Sequence, residues 1–255
     1  MPLEIHQFPA RSDNYGVLVH DTETGMTASI DAPEASAIKA ALAAKGWQLT
    51  HIFTTHHHHD HTEGNDVLKA ETNCEIIGPR GEAAKIPGIG RQVGEGDSFR
   101  FGNFEVKVLE TPGHTLGHIS YFLPDAKVAF VGDTMFAMGC GRVFEGTHQM
   151  MWNSLNKLRQ LPPDTTVYAG HEYTQSNARF ALTIEPGNAD LQARAAEVDD
   201  LRANGQPTLP TTIARELATN PFLRACEPDL KQALGMAGAE DWQVFGEIRT
   251  RKDNA

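Results

Sequence analysis

The sequence has few cysteines and no long apolar run. Its three cysteines, Cys74, Cys140 and Cys226, are scattered over 255 residues and form no CxxC pair. This set predicts no disulfide framework and fits a reducing cytoplasm. No stretch approaches the roughly 18 apolar residues that a membrane span requires. The first residues lack the basic and apolar regions of a signal peptide. We therefore expect a cytoplasmic protein without a membrane partner.

Positive charge is also scarce. Lys and Arg number 22 against 33 Asp and Glu, which gives a formal net charge of −11 at pH 7. Nucleic-acid binding relies on Lys and Arg to neutralise phosphates, so this balance disfavours nucleic-acid partners. The rest of the composition is that of an ordinary globular protein. Its length allows one large core, or one core with a smaller second domain.

The local patterns change along the chain. Up to about residue 170, short β-rich runs alternate with Gly, Pro and Asp turns, and two helical stretches lie between them. After about residue 175 the runs predict helices and almost no strands. We therefore predict an α/β domain over residues 1–172, followed by a smaller all-helical domain over residues 173–255. The predicted strands are 15–20, 49–54, 104–109, 127–131 and 166–169, and the predicted helices are 35–44, 149–161, 175–181, 189–204, 212–218 and 228–234.

A run of four histidines begins at His56, directly after a predicted strand, and continues into Asp60 and His61. Its internal position and its Asp-His ending argue against an expression tag and against a casual His-rich loop. In an extended segment His56 and His58 point the same way, and His57 points the other way. A turn at Asp60 can bring a second pair of side chains back towards the first. This H-x-H-x-D-H pattern offers the imidazole and carboxylate ligands that zinc or iron binds.

Three further candidates each follow a predicted strand and a glycine: His114, Asp133 and His171. The preceding glycine lets the backbone turn sharply at the strand end. Taken singly, each would be an ordinary loop residue. Together with the histidine run they predict one metal site at the rim of a sheet. His118 is not needed as a ligand, and we expect a structural role for it.

The order H-x-H-x-D-H, Gly-His, Gly-Asp, Gly-His resembles the metallo-β-lactamase superfamily. That resemblance implies an αββα sandwich and two divalent metal ions. Zinc is the metal expected, with iron and manganese as alternatives. It also implies the division of ligands: His56, His58 and His114 on one metal, Asp60, His61 and His171 on the other, and Asp133 bridging both.

Four further segments narrow the resemblance: GCGRVFEGT at 139–147, GHEYT at 170–174, NPFLR at 220–224 and RTRKD at 249–253. This combination resembles the glyoxalase II, or hydroxyacylglutathione hydrolase, family over essentially the whole chain. The resemblance implies hydrolysis of S-D-lactoylglutathione to glutathione and D-lactate, the second step of methylglyoxal detoxification. The family's substrate contacts correspond here to Arg142, Phe144, His171, Tyr173, Arg249 and Lys252.

Two of these positions depart from some family members, which have Lys and Tyr there. Arg142 keeps the positive charge but changes the donor geometry, and Phe144 has no hydroxyl group to form a hydrogen bond. Arg249 and Lys252 near the C-terminus would otherwise be interpreted as a solvated tail.

The expected chemistry is attack on the thioester by a hydroxide held between two metals, with Asp60 and Asp133 as catalytic ligands. We expect a monomer whose partner is a small glutathione thioester. One alternative is a glutathione-persulfide dioxygenase of the same superfamily, which would use one iron and keep His56, His58, His114 and Asp133. A second is a non-enzymatic metal-binding module.

Overall fold

The computed structural model describes residues 2–255, which form two compact units. The first unit runs to Glu110 and also includes Thr115–Gly132, whereas the second consists of Thr111–His114 and Asp133–Ala255. The chain therefore crosses between units three times, directly before Thr111, after His114 and before Asp133. The last crossing lies well before the change of pattern at residue 172.

The first unit contains two sheets. Its strands are β1 Leu3–Ala10, β2 Asn14–Asp21, β3 Thr27–Ile30, β4 His51–Phe53, β5 Glu75–Pro79, β6 Arg91–Val93, β7 Ser98–Phe101, β8 Phe104–Glu110, β9 Ile119–Leu123 and β10 Val128–Phe130. Its helices are α1 Ala35–Lys45, α2 His59–Thr62 and α3 Asn65–Thr72, with 3₁₀ turns at Arg80–Lys85 and Pro124–Ala126. One sheet has the order β1-β2-β3-β4-β5-β6, antiparallel up to β3 and parallel from β3 onwards. In the other, β7 to β10 pair in sequence as antiparallel neighbours.

The two sheets of this unit face each other across an aromatic core. Phe53 of β4 is fully buried, and its ring centroid lies between 5.2 and 5.4 Å from those of Phe99, Phe101 and Tyr121. On the other face of the first sheet, Ile38 of α1 and Leu68 of α3 pack against Ile52. These layers bury the apolar residues of the sheets and of the two helices, as a sandwich requires. They confirm the predicted α/β class.

The second unit is mainly helical. It contains two short hairpin strands, β11 Met135–Phe136 and β12 Gly139–Cys140, the pair β13 Thr166–Tyr168 and β14 Thr211–Thr212, and six helices. The helices are α4 His148–Leu158, α5 Thr174–Ile184, α6 Ala189–Ala203, α7 Ile213–Thr219, α8 Pro228–Ala233 and α9 Asp241–Asp253. Trp152 of α4 packs against Phe245 of α9, with ring centroids 6.3 Å apart.

Helix α9 contains the residues that sequence alone would place in a solvated tail. Glu240 and Gln243 form a capping box at its N-terminus, which satisfies backbone donors that the first turn leaves unpaired. Val244, Phe245 and Ile248 are fully buried. Within the described residues no helix has the length and apolar character needed to cross a membrane.

Candidate metal centre and substrate groove

The segment after β4 holds the histidine run of the first unit. Tyr121 anchors its start, because the phenol oxygen donates to the carbonyl of Thr54 at 2.8 Å. The ring nitrogens His56 Nε2 and His58 Nδ1 lie 3.2 Å apart. His57 instead contacts Glu82, 2.8 Å from its Nδ1, and His59 is exposed, with 77% of its side chain accessible. The alternation predicted from an extended backbone thus groups His56 with His58.

Asp31 organises this segment and was not predicted from the sequence. Its Oδ1 accepts the Thr55 amide at 2.7 Å, and its Oδ2 accepts the Thr55 hydroxyl at 2.9 Å and lies 2.8 Å from Nδ1 of His61. Asp31 follows β3, the parallel neighbour of β4, so both strand ends lie at the same sheet edge. An acidic residue at the end of β3 is the signal that could have found it, but the pattern did not predict that strand.

Asp31 also determines which nitrogen of His56 carries the lone pair. Because Thr55 gives its single hydroxyl proton to Asp31, its oxygen can only accept from His56 Nδ1, at 3.0 Å. In the neutral imidazole, His56 Nε2 is then the acceptor nitrogen. His61 follows the same rule, since its Nδ1 faces the Asp31 carboxylate. Such carboxylate–histidine contacts orient imidazoles towards a metal.

Asp60 and His61 form the second pair in this unit. His61 Nε2 lies 3.6 Å from Asp60 Oδ2, and the His61 ring is 4.1 Å from that of His56. Asn14 donates to Oδ2 and to the backbone carbonyl of Asp60, each at 3.2 Å. These two bonds fix the carboxylate relative to its own backbone. His118, predicted to be structural, is buried and stacks on His56 with ring centroids 4.8 Å apart.

The second unit brings together the other three predicted ligands. Asp133 Oδ2 lies 3.6 Å from His114 Nε2 and 3.3 Å from His171 Nε2. All three residues are buried. One carboxylate oxygen therefore stands between two imidazoles that the family resemblance assigns to different metals.

Nδ1 of His114 lies 2.9 Å from the Arg142 carbonyl. A carbonyl can only accept, so Nδ1 carries the proton and Nε2 the lone pair that faces Asp133. This hydrogen bond joins the backbone of Arg142, a predicted substrate contact, to His114, a predicted metal ligand. Gly113, just before His114, has a φ of 145°, in the region that favours glycine.

The ligand spacings fit metal ions. Two donor atoms at roughly 2.0–2.1 Å from a tetrahedral ion are about 3.4 Å apart. The four pairs of predicted ligand atoms measured within the units span 3.2–3.6 Å. The nitrogens that face these partners in His56, His61 and His114 are the lone-pair nitrogens deduced above. Donor types, spacing and tautomers thus agree with the binding of divalent cations.

Two aromatic side chains flank the ligands of the second unit. Tyr173, 36% exposed, stacks on His171 with centroids 4.8 Å apart and an interplanar angle of 3°. Phe144, 64% exposed, lies 5.3 Å from the ring of His114. Both rings therefore border predicted metal ligands and keep part of their surface accessible to a bound molecule.

A groove of 650 Å³ in the same unit collects cationic side chains. It is lined by Arg142, Ser176, Arg179, Phe180, Thr183, Ile184, Arg251, Lys252 and Ala255. Lys252 donates to the Ser176 carbonyl at 3.1 Å and lies 5.0 Å from the Phe180 ring. Four cations in one groove stand out on a chain of net charge −11. The groove therefore suits an anionic ligand.

Arg249 lies deeper than the other predicted contacts. Only 3% of it is exposed, and its guanidinium donates to the Cys140 carbonyl at 3.0 Å and to Asp253 at 2.9 Å. It also lies over the Phe222 ring, at 5.3 Å. The adjacent Cys140 thiol is buried, and burial raises its pKa to about 11, so it is not a nucleophile at neutral pH.

Comparison with known proteins identifies the family. The model for the metallo-beta-lactamase superfamily matches residues 21–171, and the model for the hydroxyacylglutathione hydrolase C-terminus matches residues 172–255. A hydroxyacylglutathione hydrolase from Brucella anthropi is 61% identical over 251 residues, covering 98% of this chain and 96% of the relative. The chain belongs to the hydroxyacylglutathione hydrolase family. The sequence-based predictions of family and of an enzyme of this superfamily are confirmed.

Solved structures share the fold. ETHE1 from Myxococcus xanthus superposes with a TM-score of 0.69 at 28% identity, over 97% of this chain and 90% of that one. TTHA1623 in a di-iron-bound form gives a TM-score of 0.62 at 22% identity, over 85% of this chain and 99% of that one. These likenesses confirm the predicted metallo-β-lactamase fold.

Proposed function

We propose that this member of the hydroxyacylglutathione hydrolase family hydrolyses S-D-lactoylglutathione, and related S-(2-hydroxyacyl)glutathiones, to glutathione and the 2-hydroxy acid. The observation that carries the proposal is the single Asp133 oxygen between the imidazoles of His114 and His171. A carboxylate that stands between two imidazoles in this way can bridge two metal ions. The 61% identical relative bears the name of this activity.

In the proposed centre His56, His58 and His114 would hold one metal, Asp60, His61 and His171 would hold the other, and Asp133 would be shared. Zinc is the metal we propose, because imidazole and carboxylate ligands suit it, although iron and manganese accept similar ligands. When bound, such a pair supplies a deprotonated water near neutral pH and a Lewis acid for the carbonyl oxygen.

The side chains around the ligands prepare them for this chemistry. Asp31 holds the proton of His61 at Nδ1, and the Arg142 carbonyl holds that of His114 at Nδ1. Asp60 and Asp133 are the proposed catalytic carboxylates, and Asn14 fixes the orientation of Asp60. The leaving group is a thiolate, whose conjugate thiol has a pKa near 8.5, so it needs no prior protonation.

The proposed substrate contacts are Arg142, Phe144, His171, Tyr173, Arg249 and Lys252. Glutathione carries two carboxylates, and Arg142 and Lys252 line the cationic groove that would receive them. Phe144 and Tyr173 lie beside the ligands His114 and His171 and would flank the thioester. Arg249 is almost fully buried and donates to the Cys140 carbonyl, so among these contacts it would act on the substrate through its positive charge.

We further propose a cytoplasmic monomer. All three cysteines are free thiols, two of them buried, and every proposed ligand comes from one chain. Sedimentation of the purified protein would test the monomer.

The direct test of function is to assay the metal-quantified protein in two ways. We expect it to release free thiol from S-D-lactoylglutathione and to consume no oxygen with glutathione persulfide. Oxygen uptake at one iron per chain would identify the dioxygenase. If the protein catalyses neither reaction at full metal occupancy, that result would favour a non-enzymatic metal-binding module.

A further inference from the structure

The hairpin of β11 and β12 is held by side chains from the helical part of the second unit. Each residue from Phe136 to Cys140 has a backbone group bonded in this way. The carbonyls of Phe136 and Gly139 accept from Asn220 Nδ2 at 3.2 and 3.0 Å. The Ala137 carbonyl accepts from Asn177 at 3.2 Å, and the Cys140 carbonyl accepts from Arg249 at 3.0 Å. The Met138 amide donates to Glu216 at 2.7 Å.

Glu216 is the centre of this arrangement. It is fully buried, and its carboxylate accepts from the Thr211 hydroxyl at 2.7 Å and from Asn220 Nδ2 at 3.0 Å, besides the Met138 amide. Three converging donors and a buried carboxylate form a fully connected polar network. Such networks specify one local geometry, because losing any member leaves a buried group unpaired.

The hairpin needs this support. Its strands are two residues each, and an isolated two-stranded hairpin is marginal in water. Met138 at the turn has a φ of 53°, which a residue with a Cβ adopts only when its surroundings enforce it. A Cβ at Gly139 would collide with Asn177, so the amide of Asn177 packs directly against the backbone.

The base of the hairpin carries the proposed metal chemistry. The Gly141 amide donates to the Thr134 carbonyl at 3.3 Å, which closes the loop between Asp133 and Arg142. Asp133 is the proposed bridge, and the Arg142 carbonyl fixes the tautomer of His114. At the other end, the Phe136 ring lies 6.0 Å from His171. The hairpin thus links all three ligands of this unit.

We propose that Glu216 and Asn220 are positioning residues for the metal centre, acting through this hairpin on Asp133, His114 and His171. The inference rests on the proposed dinuclear centre. The NPFLR segment begins at Asn220 and contains none of the proposed substrate contacts. The inference gives this segment a role. Neither residue touches substrate. Each sets the distances between ligand atoms.

Cobalt binding to the full-length apoprotein tests this inference independently of substrate turnover. Asn220→Asp keeps the shape of the side chain. It replaces the amide nitrogen, which donates to two carbonyls and to the Glu216 carboxylate, with an oxygen that accepts. We expect its Co²⁺ affinity to fall about 10- to 100-fold, the usual effect of losing a partner that orients a ligand, with an altered visible absorption spectrum. Glu216→Gln keeps one acceptor oxygen for Met138 and should restore the wild-type spectrum that Glu216→Ala loses.

The control is Leu230→Ala in α8, a buried residue whose loss destabilises the second unit without removing a bond to the hairpin. We expect it to lower the melting temperature and to leave the Co²⁺ affinity and spectrum unchanged. If Asn220→Asp does not fold, Asn177→Ala removes the donor to Ala137 and the packing against Gly139 and should still alter the spectrum. Wild-type affinity and spectrum in the folded hairpin variants, or equal loss in Leu230→Ala, would overturn the inference. Failure to hydrolyse lactoylglutathione would refute the proposed function without affecting this test.

Discussion

At the scale of single residues, the proposed centre depends on Asp133 more than on any other side chain. Its Oδ2 stands within 3.6 Å of two imidazole nitrogens, whereas the other proposed ligands each serve one metal. Asp133→Asn keeps the shape and removes the charge that two cations would share.

We expect Asp133→Asn to lose bound metal and to lower kcat/KM by more than ~100-fold. The reason is that losing a residue that only orients a metal ligand typically costs about 10- to 100-fold in metal affinity or activity. Metal quantification beside the kinetic assay checks both effects. The matched control is His59→Ala, an exposed member of the same histidine run that should retain metal and activity. Full metal content in Asp133→Asn would show that this carboxylate does not bridge.

Lys252 offers a test by pH. Its pKa is lowered from the ordinary lysine value, chiefly because burial disfavours the charged ammonium and also because Arg249 adds a nearby positive charge. The charged form binds a carboxylate. Because its pKa is lowered, Lys252 loses its proton at a lower pH than an exposed lysine does.

We therefore expect KM for the glutathione thioester to rise as the pH climbs towards the usual lysine range, with little change in kcat. These contacts lie on the glutathione part and stabilise ground state and transition state alike. Lys252→Arg stays charged at those pH values and should remove the rise. Identical KM profiles for the two proteins would mean that Lys252 does not bind the substrate.

At the scale of elements, turns at strand ends place the ligands, and Gly132 forms one of the constrained turns. It has a φ of 47°, and a Cβ there would lie 2.6 Å from the Thr55 hydroxyl and 2.7 Å from His118 Nε2. Thr55 and His118 both contact His56. Crowding at this turn therefore disturbs the ligands of the first unit directly.

Gly132→Ala should lower the free energy of unfolding by about 2–4 kcal/mol, combining left-handed backbone strain with overpacking. Gly96→Ala is the matched control, because Gly96 also has a positive φ, 77°, but has open space around it. It should cost only about 1–2 kcal/mol. Chemical denaturation of both variants measures the difference, and equal losses would show that contact with Thr55 and His118 is unimportant.

At the scale of the whole molecule, the sequence predicts what depends on local pattern. Helices α1, α5 and α6 were predicted to within a few residues, and the Gly-His and Gly-Asp turns pointed to the ligand positions because strand ends leave a local signature. Asp31 and Glu82 were missed because their contacts, to His61 and His57, join residues 30 and 25 positions apart. Helix α9 was missed because its short buried face lies among charged residues near the C-terminus. Asn220 was noted as a motif, but its bonds to a hairpin 81 and 84 residues away have no local signal.

The proposed metal ions would bind the folded chain only, because the proposed ligands come from distant parts of the sequence. A metal ion that binds only the folded state stabilises that state by mass action, by about 2.7 kcal/mol at a free concentration of 100 Kd. We therefore expect metal loading to raise the stability of the whole chain.

One measurement tests the central claim most directly. Metal-free protein is titrated with zinc, and thiol release from S-D-lactoylglutathione is followed at each addition beside bound zinc per chain. The account predicts no turnover without metal and a rate that reaches its plateau at two zinc ions per chain. Full turnover in the metal-free protein, or no thiol release at two bound zinc ions, would contradict it.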